Sequence, residues 1–332
     1  MASVRQIRLG YNNVYLADSG GARVLIDTGP DYRGASAYLD EELGAHRPEL
    51  VVATHGHLDH AGLAAHWQRR GVAVAMGAGD VHLASTPQLA RDDEFASFAA
   101  YVRESGAPPD VQADVMQGLA LRRAWAQQAA AAGSYPAMGR DHRWPSGLCY
   151  EHFHPARKLA DGETAGDALR AILCPGHTPG NLVVADEREG WLFSGDQLLP
   201  AITPTPGVQP RGPDSTGADW RLRSLPEFEA SLRRLKRKRF VRCFPGHGEP
   251  FDGVEAVIDA NLSQIEQRTE RVAALLRELG AATLWTLADA LYPRALRRRF
   301  WQIAATVQGH LDILEAQSRV GCVGGEYRTS GP

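Results

Sequence analysis

The spacing of hydrophobic positions changes character along this chain. Residues 13–17, 23–27, 51–54 and 72–76 are short, nearly unbroken apolar runs rich in Val, Leu, Ile and Ala, the pattern of strands covered on both faces. Ser19-Gly20-Gly21 between the first two is a hairpin signal. Residues 31–47 predict a helix, with Tyr38, Leu39 and Leu43 at helical spacing and Pro48 closing it, and an Ala-rich helical pattern follows Gly62. The same alternation returns as strands over 171–174, 181–184 and 190–194 and a helix over 225–239. Strands and helices alternating in two similar halves predict the α/β class.

Two stretches depart from that alternation. Residues 86–148 predict two helices, 93–104 and 110–132; Pro108-Pro109-Asp110 starts the second, Val111, Val115 and Leu119 share one face, and Gly133 stops it. An insert of this length is expected to act as a lid or wall of a pocket. Its Trp125, Tyr135, Met138 and Trp144 are candidate substrate contacts, although aromatics at helical spacing more often pack a core. Residues 203–217, rich in Pro and Gly, are expected to be irregular and to border the pocket mouth. From Val254 the apolar positions Ile258, Leu262, Ile265, Val272, Leu276 and Leu279 fall at three- and four-residue steps up to Gly280. Helices near 286–292 and 297–317 and a hairpin over 320–327 follow, so the pattern divides the chain into 1–252 and a small, mainly helical domain over 253–332.

Composition agrees with this division. The 332 residues, 44% of them hydrophobic, suffice for two domains with real cores. A formal charge of −3 implies no obligate polyanion partner. The run Arg233 to Arg239 is basic at six of seven positions, which a solvated helix end complementing its own dipole explains better than a nucleic-acid footprint. Residues 253–332 carry nine Lys and Arg against nine Asp and Glu. Cys149, Cys174, Cys243 and Cys322 lack paired spacing, which argues for a reducing compartment. With no apolar export signal near the N-terminus and no run of about 18 apolar residues, the expected location is the cytoplasm, without a membrane span.

The chemistry concentrates in His55-Gly56-His57-Leu58-Asp59-His60, after the apolar run 51–54. Imidazole and carboxylate together suit zinc, iron or manganese, and four donors this close would crowd one tetrahedral ion, which suggests a pair of metals. Gly56 is expected to let the backbone approach them closely. Asp27, ending a buried strand, must be hydrogen-bonded. His46, His66 and His82 read as ordinary surface or turn histidines. His152 and His154 would share one face of a strand, so ligation by them is geometrically open.

These residues resemble a known family. His55 to His60 matches the HxHxDH signature of the metallo-β-lactamase superfamily. Pro175-Gly176-His177-Thr178-Pro179-Gly180, Phe193-Ser194-Gly195-Asp196 and Phe244-Pro245-Gly246-His247-Gly248 follow in that family's order, and Val24 to Gly29 resembles its first motif. The resemblance implies a four-layer αββα sandwich. It also implies two divalent ions, zinc first, with iron and manganese also fitting. His55, His57 and His177 would hold one and Asp59, His60 and His247 the other, with Asp196 and a water between them. Asp27 would steady the ligand loop, and His152 and His154 fall outside a complete set. A hydroxide bridging the metals would then carry out hydrolysis, with Asp59 also shuttling the proton.

The C-terminal pattern resembles the winged-helix-like domain on the superfamily branch that includes β-lactamase-like protein 2. The leading expectation is a glyoxalase II-like hydrolase of a small ester or thioester. No glutathione-binding set is recognisable, and lactones fit the same centre. The alternative is an endoribonuclease or other phosphodiesterase, with RNA as partner, suggested by the tail and the basic run. β-Lactamase activity, a redox diiron role and a non-catalytic nucleic-acid module fit less well, and a homodimer is compatible with the family.

Overall fold

The computed structural model describes residues 2–136, 148–201 and 207–330. The first half opens with β1 (Ser3–Leu9), β2 (Asn12–Ser19) and β3 (Ala22–Ile26), then α1 (Ala35–Leu43), β4 (Leu50–Ala53), α2 (Leu58–Ala61), α3 (Ala64–Arg69) and β5 (Ala73–Gly77). The Gly20-Gly21 hairpin forms as expected. Helix α1 is shorter than the 31–47 pattern because the backbone before it is engaged elsewhere: Asp31 bonds to Cys149 N, and Gly34 begins the helix in the left-handed conformation.

The insert contributes α4 (Asp92–Glu104) and α5 (Pro109–Ala132), close to the expected limits, then the small hairpin β6 (Ser134–Pro136) and β7 (Cys149–Glu151). Gly133 ends α5 at φ 68°, the left-handed stop that favours glycine. The second half runs β8 (Arg157–Leu159), β9 (Leu169–Leu173), β10 (Leu182–Asp186), β11 (Trp191–Gly195), α6 (Ser224–Lys236), β12 (Arg242–Pro245) and β13 (Phe251–Asp252).

Two sheets result, ordered β1-β2-β3-β4-β5-β8 and β13-β12-β11-β10-β9. Alternate side chains sort the layers. Tyr15, Ile26, Val52 and Ala75 of the first sheet meet Leu182, Val184 and Phe193 of the second. Leu16, Leu25, Val51 and Met76 point the other way, onto Leu39, Leu43 and Trp67 of α1 and α3. Val183, Ala185 and Cys243 face Phe228, Leu232 and Leu235 of α6. Strands buried on both faces explain the unbroken apolar runs, and the architecture is the expected αββα sandwich.

Beyond β13 come α7 (Val254–Leu279), β14 (Ala281–Thr283), α8 (Leu284–Leu291), α9 (Phe300–Ala316), β15 (Val320–Val323) and β16 (Glu326–Thr329). The hairpin forms as patterned, and β14 joins it in a three-stranded sheet that no apolar run announced. Helix α9 lies in the middle: twelve of its seventeen residues are buried. Its Val307, Leu311 and Leu314 share one core with Phe98 and Val102 of α4 and with Val111 and Leu119 of α5. The insert is therefore built onto the C-terminal helices. Among the described residues, no helix is long and apolar enough to cross a membrane.

Among the described residues, two ion pairs join this helical mass to the loop before α6, a half-exposed one between Arg223 and Glu315 at 3.3 Å and a buried one. Asp312, fully buried on α9, accepts both guanidinium nitrogens of Arg221 at 2.6 and 2.7 Å and a third bond from Gln308 at 3.0 Å. Removing one partner strands a buried charge, so Asp312→Ala should lower unfolding free energy by about 3–5 kcal/mol. The Arg221→Met/Asp312→Leu double variant should recover most of that in urea titrations; a double variant as unstable as the single would show that the loss lies elsewhere.

Candidate metal centre

The site sits where the strands of both sheets end. The loop after β4 carries His55 and His57, α2 carries Asp59 and His60, the loop after β9 carries His177, the turn after β11 carries Asp196 and the turn after β12 carries His247. Three groups of donors form, His55 with His57 and His177, His55 with His60 and Asp196, and Asp59 with His60 and His247, the donor atoms of each lying within 4.8 Å of one another. Together they contain all seven residues singled out from the sequence.

The spacing is that of a metal cage. His57 Nδ1 lies 3.0 Å from His55 Nε2 and 3.1 Å from His177 Nε2; metal–nitrogen bonds of about 2.0–2.1 Å in a tetrahedron put donors roughly 3.3 Å apart. His60 Nε2 and His247 Nε2 are 3.3 Å apart, with Asp59 Oδ2 at 3.8 and 3.6 Å from them. Asp196 faces both sides, with Oδ2 3.5 Å from His177 Nε2 and Oδ1 3.3 and 3.4 Å from His60 and His247 Nε2.

Neighbouring groups decide which nitrogen of each ring carries the proton. Asp27 accepts from Thr54 N at 2.7 Å, from the Thr54 hydroxyl at 3.0 Å and from His60 Nδ1 at 2.8 Å. A carboxylate only accepts, so His60 Nδ1 donates. The Thr54 hydroxyl has spent its one hydrogen on Asp27, so at 3.0 Å it accepts from His55 Nδ1. His247 Nδ1 donates to the Tyr11 carbonyl at 3.0 Å. When these rings are neutral, each turns a bare Nε2 lone pair toward the centre. Asp27 does this from φ 59°, a left-handed conformation that an Asp tolerates better than most residues.

Charge points to cations. Asp27, Asp59 and Asp196 converge here with no Lys or Arg paired to any of them among the described residues. Asp196 Oδ1 is buried and has no hydrogen-bond donor. Burial, then the neighbouring imidazoles, hold His55 well below the usual histidine range, and the same causes push His177 down to about 3, so both are lone-pair donors. Burial alone would lower His60, but Asp196, Asp27 and Asp59 outweigh it and raise it well above that range. Proton and divalent cation are alternative ways to balance those carboxylates, and the donor chemistry fits the cation.

Several supports escaped the sequence pattern. Asp80, fully buried past β5, accepts from Gly56 N at 2.9 Å, Thr178 Oγ1 at 2.6 Å and Gly180 N at 2.6 Å, buckling two of the donor loops together. Unlike Asp27, it does not end its strand but lies three residues beyond β5 in a short helical turn, so the strand-end rule does not single it out. Asn12 donates to Asp59 Oδ2 at 3.1 Å. Asn13 and Tyr15 donate to the Pro245 carbonyl and steady the His247 turn. In that turn a Cβ on Gly246 would come within 2.6 Å of His60 Cε1 and 3.0 Å of Asp196 Oδ1. Gly56 serves differently from the expectation: its Cβ would collide with Leu83 at 2.7 Å.

The other histidines mostly stay apart. His46 is exposed, His66 bonds Asp40, and His152 and His154 lie outside the donor groups. His82 is the exception. It lines a cavity of about 170 Å³ that opens beside Gly56 and His57 and is walled by Leu83, Leu89 and Trp125. Trp125 therefore faces the pocket, as does Pro210 of the irregular loop, while Met138 and Trp144 lie outside the described residues. In the basic run Arg233, Arg234, Lys236 and Lys238 each pair with an acidic side chain.

The model of the Metallo-beta-lactamase superfamily matches residues 7–247 of this chain. A Bacillus subtilis protein described as probable metallo-hydrolase YqjP is 28% identical over 318 residues, 92% of this chain and 88% of its own. The chicken (Gallus gallus) acyl-coenzyme A thioesterase MBLAC2 is 28% identical over 255 residues, 72% of this chain and 73% of its own. Among solved structures, the metallo-beta-lactamase family protein TTHA1429 from Thermus thermophilus superposes with a TM-score of 0.69 at 25% identity, covering 99% of this chain and 98% of that one.

One pocket carboxylate has a measurable signature. Burial pushes Glu94 from 4.5 up to about 7, against the opposing bond it accepts from Leu89 N. The unfolded chain ionises first as pH rises, so this residue makes stability fall between those two values. Each unit of the difference is worth about 1.4 kcal/mol. Glu94→Gln should remove that fall, read as the wild-type minus variant difference in urea-unfolding free energy across the interval; an unchanged difference would refute the raised acid.

Proposed function

The chain belongs to the metallo-beta-lactamase superfamily, and from that premise we propose that it is a dinuclear metallohydrolase of a small ester or thioester. The observation that carries the two-ion reading is Asp196, whose two oxygens face the two groups of donors separately. His55, His57 and His177 would hold one ion, Asp59, His60 and His247 the other, and Asp196 both. When bound, such a pair supplies Lewis acidity and water acidified toward pH 7.

The chain's own residues supply the rest. Asp27, Thr54 and the Tyr11 carbonyl fix His60, His55 and His247 with Nε2 inward. Burial alone would raise the Asp59 carboxyl, but His60 and the other imidazoles around it hold it below the ordinary range, so it begins ionised. Through Oδ1, the oxygen that Asn12 does not engage, Asp59 would accept the proton of the attacking water and return it to the departing alcohol or thiol. Leu83, Leu89 and Trp125 offer an apolar wall for an acyl group beside His57.

A thioester is favoured by the cavity and by the name of the chicken relative. RNA is disfavoured on two counts. Four of the six cations in the basic run are already paired. A helix-turn-helix reader must also free a face of its second helix, and α9, which follows α8, is buried through twelve of its seventeen residues.

The decisive experiment offers a thioester panel and a short single-stranded RNA to one metal-analysed preparation, with His57→Ala as control. Thioester cleavage lost in the variant together with bound metal is expected. RNA cleavage sensitive to the same substitution, with inert thioesters, would overturn the substrate class; a fully active variant without metal would overturn the mechanism. Asp27→Asn should weaken metal affinity about 10–100-fold in chelator competition, and wild-type affinity would remove Asp27 from the positioning role.

A further inference from the structure

Among the described residues, the pocket beside His57 holds a cation, Arg122, with no counter-charge paired to it. Arg122, Trp125 and Ala129 lie at positions i, i+3 and i+7 of α5, one stripe of the helix. Arg122 and Trp125 line the cavity, and Trp125 and Ala129 cluster with Leu58 of the candidate metal loop. Neighbouring arginines are satisfied: Arg123 pairs with Asp92 and lies over the Phe95 ring, and Arg91 pairs with Asp93. Arg122 has no hydrogen bond, ion pair or aromatic partner among the described residues.

Among the described residues lining the pocket the one carboxylate is Glu94, which accepts from Leu89 N, and the described charges acting on it are those of Arg91 and Asp93. Desolvation lowers the Arg122 pKa, and no acidic group among the described residues acts on it. Arg122 is exposed to solvent where it lines the cavity, so its guanidinium is open to a ligand and is not held by a carboxylate among the described residues. A ligand anion there would find a partner, since the guanidinium fork matches carboxylate and phosphate oxygens two at a time.

We propose that Arg122 is a substrate-recognition residue that binds an anionic group, carboxylate or phosphate, carried by the ester or thioester whose scissile bond lies at the metal centre. This rests on the hydrolase reading above and narrows it: apolar atoms of the substrate lie against Leu83, Leu89 and Trp125, and its charge reaches the guanidinium. The pocket continues past His82, Gln88 and Glu94 into a second chamber of about 130 Å³, where Arg91 is already paired. Among the described residues of the two chambers, Arg122 is thus the arginine left for the ligand.

Two matched pairs of probes test this on the full-length, metal-loaded protein. S-glutaryl-N-acetylcysteamine against its methyl ester places a carboxylate on the acyl side, and S-acetyl phosphopantetheine against S-acetyl pantetheine places a phosphate on the thiol side. Wild type should prefer the charged member of one pair by at least about tenfold in kcat/KM, mainly through KM. Arg122→Gln should bring that ratio to about one, Arg122→Lys should keep part of it, and the pair that responds identifies the anion.

Turnover of the neutral probes with the same ratios in wild type and Arg122→Gln would overturn the Arg122 role while leaving the hydrolase reading intact. If no probe is turned over, the substrate reading fails, and calorimetric titration with glutarate and with inorganic phosphate decides for Arg122. Binding at least about tenfold weaker in Arg122→Gln supports the role, and equal binding by the two proteins refutes it.

Discussion

Three carboxylates gathered around one buried imidazole call for a compensating cation, and Asp27, Asp59 and Asp196 surround His60 in that way. Each is fixed by a different device. Asp27 adopts a left-handed backbone so that one carboxylate serves Thr54 and His60 together. Asp59 is tethered by Asn12 from the first hairpin, and Asp196 projects from a turn against which Gly246 leaves no room for a side chain. The imidazoles between them are oriented through their far nitrogens. Charge excess and lone-pair direction thus make the same demand, a cluster of positive charge at the centre.

The sandwich exists in the form that meets this demand. Two sheets packed through Tyr15, Ile26, Phe193 and Phe244 bring their strand ends to one edge, so that short loops from both reach a common point. Asp80 then bonds across the gap, from Gly56 in one half to Thr178 and Gly180 in the other. Loops that must hold donors to within a fraction of an ångström are braced by buried hydrogen bonds to charged groups, which are stronger than neutral ones.

The helical third of the chain has a different physical role. Helices α4 and α5 cannot bury their apolar faces on the sandwich alone, and they complete a core with α7, α8 and α9. That core holds α5 as the wall of the pocket and lets it present Trp125 and Arg122 beside the candidate metal loop. A segment without a predicted metal ligand therefore lines the cavity next to the candidate centre. The same packing buries twelve of the seventeen residues of α9.

The α/β class, most helices, the central strands and the cluster His55 to His60 were legible in the residues alone; His177, Asp196 and His247 came through the family resemblance, and β1 and β8 were not patterned. Strands covered on both faces must be continuously apolar, long helices must show a 3.6-residue period, and imidazoles two and three residues apart beside a carboxylate have few other uses. The role of Asp27 was legible for a similar reason, since a carboxylate ending a buried strand needs partners. Only the tertiary structure decided the rest. Asp80, Asn12 and the Tyr11 carbonyl act on residues 24 to 236 positions away, a relation that no local spacing encodes. Strand β14 forms because the terminal hairpin offers it an edge. Whether Trp125 packed a core or faced a pocket, and whether Arg122 found a partner, depended on which helices closed around α5; the helical period assigns a residue to a face but does not say what that face meets.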